Sequence, residues 1–203
     1  MTGKNNNIEI KHLLRNTLEE HLNLFNKIKK DTILQSQCIK AAGKLVYVYK
    51  NEGKLLLCGN GGSAAQAQHL AAELIGRFYL NRKALSAEAL SADTTTLTAL
   101  SNDYGFEQLF SRQIQAKGDP GDMLLALTTS GQSKNIIEAI KTSYMLKIFT
   151  VVLTGQNDSS CLRKYADIII SVPSKIIPRI QEAHIFIGHL ICEFVERELF
   201  AKK

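Results

Sequence analysis

The stretch that decides the fold is Leu55-Leu-Leu-Cys-Gly-Asn-Gly-Gly-Ser-Ala-Ala-Gln-Ala-Gln-His-Leu-Ala-Ala-Glu73. It opens on a short apolar run, which is typical of a strand buried on both faces. A glycine-rich turn follows, and residues 64–77 then have the composition of a helix. A buried strand that passes through a glycine turn directly into a helix is the first half of a parallel unit. This stretch therefore predicts an α/β fold.

Further segments have the apolar or β-branched composition of buried strands. They cover residues 84–90, 123–127, 149–153 and 168–172. A helix is expected over about 134–145, and another from near Pro178, a residue favoured in a first helical turn, towards Phe200. Together with the first strand they predict a five-stranded, parallel, doubly wound sheet with helices on both faces. Such a sheet binds ligands at the carboxyl ends of its strands.

The residues before the first strand are predicted to form helices. Over residues 8–30, apolar side chains recur at the spacing of one helix face. These side chains are Leu14, Leu18, Leu22 and Phe25. A second helical region follows and closes over residues 43–54. The apolar face of the first helix either packs against another subunit or covers the core of its own chain. We treat residues 1–203 as a single domain whose N-terminal helices, within residues 8–52, serve in oligomer packing.

The composition is that of a globular protein. The chain has 203 residues, of which 45% are hydrophobic, so it is long enough to bury a core. Its formal net charge is +6. The basic residues are dispersed and are not interleaved with aromatic residues, so we do not expect nucleic-acid binding. A mild excess of positive charge also suits a protein whose ligands are anionic sugar phosphates.

The cysteines and the N-terminal residues favour a cytoplasmic location. The cysteines, Cys38, Cys58, Cys161 and Cys192, are scattered and form no CxxC pair, which favours free thiols in a reducing compartment. The first residues are polar and lack the apolar region of a signal peptide. No apolar run approaches the ~18 residues of a membrane span. We therefore expect a soluble cytoplasmic protein without a membrane partner.

The turn between the first sheet strand and its helix consists of Asn60, Gly61, Gly62 and Ser63. Glycine lets the backbone approach a ligand closely, and the free amides at a helix start favour an anion. The turn is not the dinucleotide fingerprint, because a third glycine in register is missing. It is not a Walker loop either, because Gly-Lys-Ser/Thr is absent. It is therefore either a ligand-binding loop or a plain strand-to-helix turn.

A second polar loop follows the strand at residues 123–127. Its sequence is Thr128-Thr129-Ser130-Gly131-Gln132-Ser133. Hydroxyl groups donate to phosphate oxygens, and the dipole of the next helix favours the negative charge. Because an N-cap needs only one hydroxyl, we favour a phosphate cradle over a plain cap. Asn102 and Asp103, expected in a loop between the two, suit either sugar hydroxyls or turn formation.

His69 and Glu73 are four residues apart on the first sheet helix and therefore share a face. A His and a Glu at that spacing can hold a divalent metal or form a simple hydrogen-bonded pair. Their neighbours are apolar, which indicates a largely buried helix. Gln181, Glu182, His184 and His189 on the last helix are further candidates. Gln181 and His189 lie about 12 Å apart along the helix axis and roughly 80° around it, so spacing alone permits a joint metal site and does not predict one.

Taken together, the motifs resemble those of the phosphoheptose isomerases, which are sugar isomerase (SIS) domain proteins. The matching stretches are CGNGGS at 58–63, QHLAAELIGRF at 68–78, SNDYGFEQLFSRQ at 101–113, GDMLLALTTSGQS at 121–133 and RIQEAHIFIGH at 179–189. The resemblance implies a SIS fold with flavodoxin-like strand order. It also implies an aldose–ketose isomerase that converts D-sedoheptulose 7-phosphate to D-glycero-D-manno-heptose 7-phosphate through an enediol. That reaction is the first step of ADP- or GDP-heptose biosynthesis, with lipopolysaccharide as the commonest destination.

The resemblance also implies roles for individual residues. One Zn²⁺ per subunit would be bound by His69, Glu73, Gln181 and His189. Glu73 and His189 would carry the proton transfers. The sugar phosphate would contact Asn60, Gly61, Gly62, Ser63, Glu73, Asn102, Asp103, Thr128, Thr129, Ser130, Ser133 and Gln181. The implied assembly is a homotetramer with active sites between subunits.

Proteins with other functions have similar sequence motifs. A non-catalytic SIS tetramer that assists a replication initiator shares the Gly-Asn-Gly and Ala-Gln-His stretches but lacks counterparts of Glu73 and His189, and this chain has both. A sugar-phosphate-sensing regulator would carry a helix-turn-helix region, which the first 40 residues do not resemble. An isomerase of another sugar phosphate is the nearest alternative.

Overall fold

The computed structural model describes residues 3–156 and 160–201. Its strands are β1 (Leu55–Gly59), β2 (Ala87–Ala89), β3 (Met123–Leu127), β4 (Phe149–Thr154) and β5 (Ile168–Ser171). Its helices are α1 (Gly3–Lys30), α2 (Thr32–Lys50), α3 (Gly62–Ile75), α4 (Thr94–Tyr104), α5 (Leu109–Lys117), α6 (Lys134–Met145), α7 (Ser160–Tyr165) and α8 (Ile177–Phe200), with a 3-10 turn over Phe106–Gln108.

The strands of the described residues form one five-stranded sheet in the order β2-β1-β3-β4-β5. Every pair of neighbouring strands is parallel. The prediction of a five-stranded, parallel, doubly wound sheet with flavodoxin-like strand order is therefore confirmed. The order reverses between β1 and β3, and ligands of such sheets bind at the carboxyl end of that point.

Alternate residues of each strand face opposite helical layers, as the period of a strand requires. Leu55 and Leu57 belong to a core shared with helices α1, α2, α3 and α8. Leu56 and Cys58 belong to a second core, shared with α5, α6 and α7. The sheet is thus covered on both faces, which is why its strands read as continuous apolar runs.

The register between β1 and β3 decides where the polar loops meet. Gly59, the last residue of β1, is paired with Leu127, the last residue of β3. Because the two strands end together, residues 60–63 and 128–133 leave the sheet side by side. The two loops predicted to bind ligand therefore share one edge of the sheet.

The N-terminal region is helical, as expected, but one of the two roles considered for the apolar face of its first helix is not observed. Asp31 separates α1 from α2, and its carboxylate caps α2 by accepting from the amide of Leu34. Leu14, Leu18 and Leu22 are more than half exposed in the single chain. The alternative that this face covers the protein's own core is therefore wrong for these side chains. No helix among the described residues is long and apolar enough to cross a membrane.

Local structure departs from expectation mainly between β1 and β3, and once more between β4 and β5. The strand expected over 84–90 is shorter and covers only Ala87–Ala89. Asn102 and Asp103 do not lie in a loop: they belong to the last turn of α4. Helices α4, α5 and α7 are additions that the sequence patterns did not indicate. The cysteines are unpaired, as expected, and three of the four are buried.

Candidate active site

Side chains from helices α3 and α8 converge where the two helices pack against each other. His69 projects from α3 and His189 from α8, with their Nε2 atoms 2.8 Å apart. Oε1 of Glu73 lies 3.5 Å from His69 Nε2. One ligand-type atom of each of the three residues lies within 4.8 Å of the others. Of the sequence candidates, the structure thus brings His69, Glu73 and His189 together.

A glycine on α8 permits this convergence. Gly188 precedes His189, and a Cβ at Gly188 would lie 2.5 Å from Cδ1 of Leu70, the residue after His69. Real Cβ atoms do not approach a carbon so closely, and Leu70 is fully buried, so a larger residue would separate the two helices. The close approach of α3 and α8 therefore depends on the missing side chain at Gly188.

The expectation that α3 is largely buried is wrong. Its buried positions form one face, which includes Leu70, Ala71 and Leu74. The His69 side chain is 46% exposed and that of Glu73 23% exposed. Burial, reinforced by the neighbouring His69, lowers the pKa of His189, although the Glu73 carboxylate opposes the shift. A neutral imidazole is the form that binds a metal ion.

The three side chains fit a divalent metal by distance and by chemistry. Nitrogen and oxygen ligands about 2.1 Å from a tetrahedral zinc ion are about 3.4 Å apart. The Glu73–His69 separation of 3.5 Å already matches that value. The His69–His189 separation of 2.8 Å would have to widen slightly. Two imidazoles and a carboxylate are also a donor set that zinc accepts in catalytic sites.

A small cavity of about 60 Å³ lies where the two polar loops meet. Its lining consists of Asn60, Ser63, Leu127, Thr128, Thr129, Ser133 and Gln181. A water needs roughly 15 Å³ of such space, so the cavity has room for a group about as large as a phosphate. Helices α3 and α6 both begin beside it, and neither N-cap residue caps its helix with a side-chain bond. Both helix starts therefore keep amides available for an anion.

The hydroxyl groups of the second loop have different local roles. The Oγ1 of Thr128 accepts from the amide of Gly131, and the Oγ of Ser130 accepts from that of Gln132. These two hydroxyls shape the loop, and each still has its own proton to donate. Ser133 occupies the N-cap position of α6 without making a cap bond. The plain-cap alternative is therefore wrong for Ser133.

A reciprocal amide pair joins the first loop to the start of α6. The Nδ2 of Asn60 donates to Oδ1 of Asn135 over 2.9 Å, and the Nδ2 of Asn135 donates back to Oδ1 of Asn60 over 2.8 Å. Asn135 also accepts from the amide of Ile136. Sequence reasoning missed Asn135 because nothing in its local pattern reveals a partner 75 residues away.

Gln181 lies near the start of α8, the helix that also carries His189, and lines the cavity. Its Nε2 would be 2.6 Å from a Cβ placed on Gly62, so the glycine turn leaves room for this amide. Its backbone carbonyl accepts from Nε2 of Gln66 on α3. Gly61, the residue that caps α3, has a φ of +54°, a conformation that favours glycine. The turn and Gln181 thus fit each other closely.

Asn102 and Asp103 do not line this cavity. Both are exposed on α4, and the Nδ2 of Asn102 donates to Oδ1 of Asp103. In the single chain the structure therefore separates them from the other predicted sugar-binding residues.

Comparison with known proteins identifies the family. A profile described as the SIS domain matches residues 18–155. Phosphoheptose isomerase 2 of Campylobacter jejuni is 47% identical over 87% of both chains. The phosphoheptose isomerase of Aneurinibacillus thermoaerophilus is 46% identical over 94% of this chain and 96% of its own. The chain belongs to the phosphoheptose isomerase family of SIS-domain proteins.

A solved structure supports the same assignment. The phosphoheptose isomerase of Francisella tularensis superposes with a TM-score of 0.86 and is 36% identical, covering 92% of this chain and 97% of that one. The observed sheet order and helical layers are therefore those of phosphoheptose isomerases.

In this member of the phosphoheptose isomerase family, a buried ion pair lies close to the backbone of the convergent residues. The Nε of Arg82 lies 3.0 Å from Oε1 of Glu196, and both side chains are 2% exposed. Burial alone would raise the pKa of Glu196. Hydrogen bonds from the amides of Tyr79, Leu80 and Phe78, together with Arg82, lower it instead. Sequence reasoning overlooked this pair because its partners are 114 residues apart.

His184, a candidate from the sequence, points elsewhere. It is fully buried on α8, and neither ring nitrogen has a hydrogen bond of acceptable geometry among the described residues. Burial lowers the pKa of His184 to about 4, against a smaller opposing effect of the Thr154 backbone. It belongs to the packing of α8 on the sheet rather than to the convergent group.

Proposed function

We propose that the protein is an aldose–ketose isomerase that interconverts D-sedoheptulose 7-phosphate and D-glycero-D-manno-heptose 7-phosphate. The observation that carries this proposal is the convergence of His69, Glu73 and His189, in a chain that also has an anion-sized cavity where its two polar loops meet. The high identity to phosphoheptose isomerases over most of the chain supports the same substrate. We further propose that the product enters ADP- or GDP-heptose biosynthesis, for example for lipopolysaccharide.

The reaction moves a carbonyl group from C2 to C1 of the sugar. A proton leaves C1 while the C2 oxygen gains one, which gives an enediol. A proton then leaves the C1 oxygen while C2 gains one, so no atom is lost or added. One group must act on the carbons and another on the oxygens.

Glu73 suits the carbon-to-carbon transfer and His189 the transfers at oxygen. The two side chains lie on neighbouring helices within one cluster, so both can face the same two carbons. Glu73 has two carboxylate oxygens. Oε1 faces His69, which leaves Oε2 for the proton. Burial lowers the pKa of His189, so its imidazole is neutral near pH 7 and can accept a proton before returning it.

The phosphate group anchors the far end of the substrate. Ser133, Ser130 and Thr129 belong to the loop after β3, and the amides at the starts of α3 and α6 add donors. Asn60, Gly61, Gly62, Ser63 and Thr128 complete this wall. Holding the phosphate aligns C1 and C2 with the proton-transfer groups. Asn102 and Asp103 would reach a sugar only with a change in α4 or from another subunit.

We also propose one Zn²⁺ per subunit, held by His69, Glu73, His189 and the amide oxygen of Gln181. When bound, the metal polarises the carbonyl and stabilises negative charge on the sugar oxygens. We propose a homotetramer as the assembly and the cytoplasm as the location, in agreement with the free cysteines.

The test is turnover of sedoheptulose 7-phosphate by the purified protein, with and without a chelator and with zinc restored. We expect heptose 7-phosphate, loss of activity with chelator and recovery with zinc. No turnover in the presence of zinc would contradict the proposal and favour the non-catalytic adaptor. Turnover of another ketose phosphate alone would favour an isomerase of a different sugar.

A further inference from the structure

Building on the proposed isomerase function, we propose that Arg82 is a positioning residue for Glu73 and that Glu196 holds Arg82 in place for this task. The pair does not touch the substrate-binding cavity. The pair acts through the backbone carbonyl of Glu73, which Arg82 binds, and through the Phe78 ring, which packs against His189.

Arg82 fixes the end of the helix that carries Glu73. Its Nη2 donates to the backbone carbonyl of Glu73 over 2.9 Å, and its Nη1 donates to that of Leu74 over 2.6 Å. The last carbonyls of a helix have no partner within the helix, and a cation there also meets the negative end of the dipole. The guanidinium fork therefore determines where the last turn of α3 lies, and with it the Glu73 carboxylate.

Glu196 organises the segment that returns from α3 to Arg82. Its carboxylate accepts from the amides of Phe78, Tyr79 and Leu80, over 3.1, 2.6 and 2.8 Å. The Phe78 ring then lies 5.5 Å from the His189 ring, centroid to centroid. The same carboxylate thus holds the aromatic side chain that packs on the second proton-transfer candidate.

Glu196 and His189 lie on nearly the same face of α8 because of the helix period. His189 and Glu196 are seven residues apart on α8, which is two turns and so nearly the same face. One residue of that face supplies the convergent imidazole, and the other supplies the carboxylate behind it. A single buried ion pair therefore connects the supports of Glu73 and His189.

Arg82→Lys is the decisive variant. Lysine keeps the positive charge beside Glu196 but cannot donate in a fork to both carbonyls. We expect a folded protein whose kcat is about 10- to 100-fold lower with little change in KM, because a misplaced base slows the chemistry without loosening the phosphate.

Metal binding provides a readout that does not need turnover. We expect the affinity for Zn²⁺ alone to fall by about 10- to 100-fold in Arg82→Lys, as when other supports of metal ligands are changed. With Co²⁺ in place of Zn²⁺, the visible absorption spectrum should differ from that of the wild-type protein, since it reports on ligand arrangement. Glu196→Gln should change the same quantities.

Asp122→Asn is the matched control. Asp122 is a carboxylate as buried as Glu196, paired with Lys54, and accepts from the amides of Lys54 and Asp119. It directly precedes β3, and it belongs neither to the His69, Glu73 and His189 cluster nor to the lining of the anion-sized cavity. This variant should lose thermal stability while it keeps the wild-type kcat, metal affinity and Co²⁺ spectrum.

The outcomes separate this inference from the proposed function. Wild-type kcat, metal affinity and spectrum in Arg82→Lys would overturn it, as would equal effects in Asp122→Asn. Failure of both Arg82→Lys and Glu196→Gln to fold would also overturn it, because the pair would then serve stability alone. A wild-type protein that binds metal but lacks isomerase activity would refute the proposed function, while the comparison of metal affinities and spectra would still test positioning.

Discussion

Glu73 combines two tasks that a carboxylate can perform because it has two oxygens. One oxygen faces His69 over 3.5 Å, and the other remains for a substrate proton. Loss of the negative charge should therefore affect metal binding less than catalysis, since a glutamine still offers an oxygen ligand but has no basic site.

We predict that Glu73→Gln lowers kcat by about 10²- to 10⁴-fold, the usual contribution of a positioned base. The melting temperature should change little, because the Glu73 side chain is partly exposed. Initial rates with sedoheptulose 7-phosphate measure the effect. Glu193→Gln, which removes a surface carboxylate paired with Arg197 on α8, serves as the control and should retain full activity. Full activity in Glu73→Gln would refute the assignment of the base.

His184 makes the folded protein sensitive to mild acid. Burial lowers the pKa of its imidazole from 6.5 to about 4. The unfolded chain takes up a proton on this residue below pH 6.5, whereas the folded chain does not until about pH 4. Protonation between these values therefore favours the unfolded state, and the stability is lost as pH falls.

We predict that this residue alone lowers the free energy of unfolding by about 2 kcal/mol between pH 7.5 and pH 5, since 1.5 pH units below 6.5 correspond to that amount. Urea unfolding of the metal-free protein, at the same protein concentration and at both pH values, measures this difference in the free energy of unfolding. The difference between the two pH values should be about 2 kcal/mol smaller in His184→Leu. An identical pH dependence in both proteins would show that His184 does not carry this effect.

Among the elements, the central strands β1, β3 and β4 were predictable because they are buried on both faces and read as apolar runs. Helix α4 was not, since none of its residues is buried and it therefore lacks apolar periodicity. The available signal was Asp93, whose carboxylate accepts from the amides of Thr95 and Thr96 and caps the helix. His69 and Glu73 were predictable from their spacing. Their contact with His189 was not, because it depends on how α3 packs against α8.

We predict that Gly188→Ala weakens both Zn²⁺ binding and isomerase activity. The new Cβ would lie 2.5 Å from the buried side chain of Leu70. Because the surrounding core leaves that side chain little room, we expect α3 and α8 to move apart and carry His69 away from His189. A displacement near 1 Å can lower activity by about 100-fold. Zinc affinity and initial rates measure the effect.

Gly43→Ala is the control for that variant. Gly43 also lies within a helix, but a Cβ there meets nothing within 4 Å. Alanine at this position should leave zinc affinity unchanged and stabilise α2 slightly, by about 0.5–1 kcal/mol. Equal zinc affinities in Gly188→Ala and wild type would contradict the role assigned to the close helix packing.

For the whole molecule, the unpartnered apolar surface is the main feature. A groove of about 510 Å³ lies between α1, α2 and α8, with Leu22, Phe25, Phe186 and Leu190 in its lining. Exposed apolar surface of this extent is typical of subunit interfaces. Because Leu190 adjoins His189, a partner on this groove would lie near the candidate active site.

We predict that Leu18→Asp combined with Leu22→Asp converts the proposed tetramer into smaller species, because the charges would have to be buried against a partner. Analytical ultracentrifugation measures the mass. Each single chain should keep its fold, since both leucines are more than half exposed within it. The control is Glu19→Gln, a neighbouring exposed position on α1. An unchanged mass in the double variant, or a monomeric wild type, would contradict the proposed use of this surface.

The contact between His69 and His189 also determines how early during protein synthesis the site can form. The two residues are 120 positions apart in sequence. At about 5–20 residues per second, roughly 6 to 24 seconds pass on the ribosome between the addition of one histidine and the other. During that interval the nascent chain carries the glycine turn and His69 without the last helix. The growing protein can therefore neither capture a metal ion in its final geometry nor act on a sugar until its last segment has emerged.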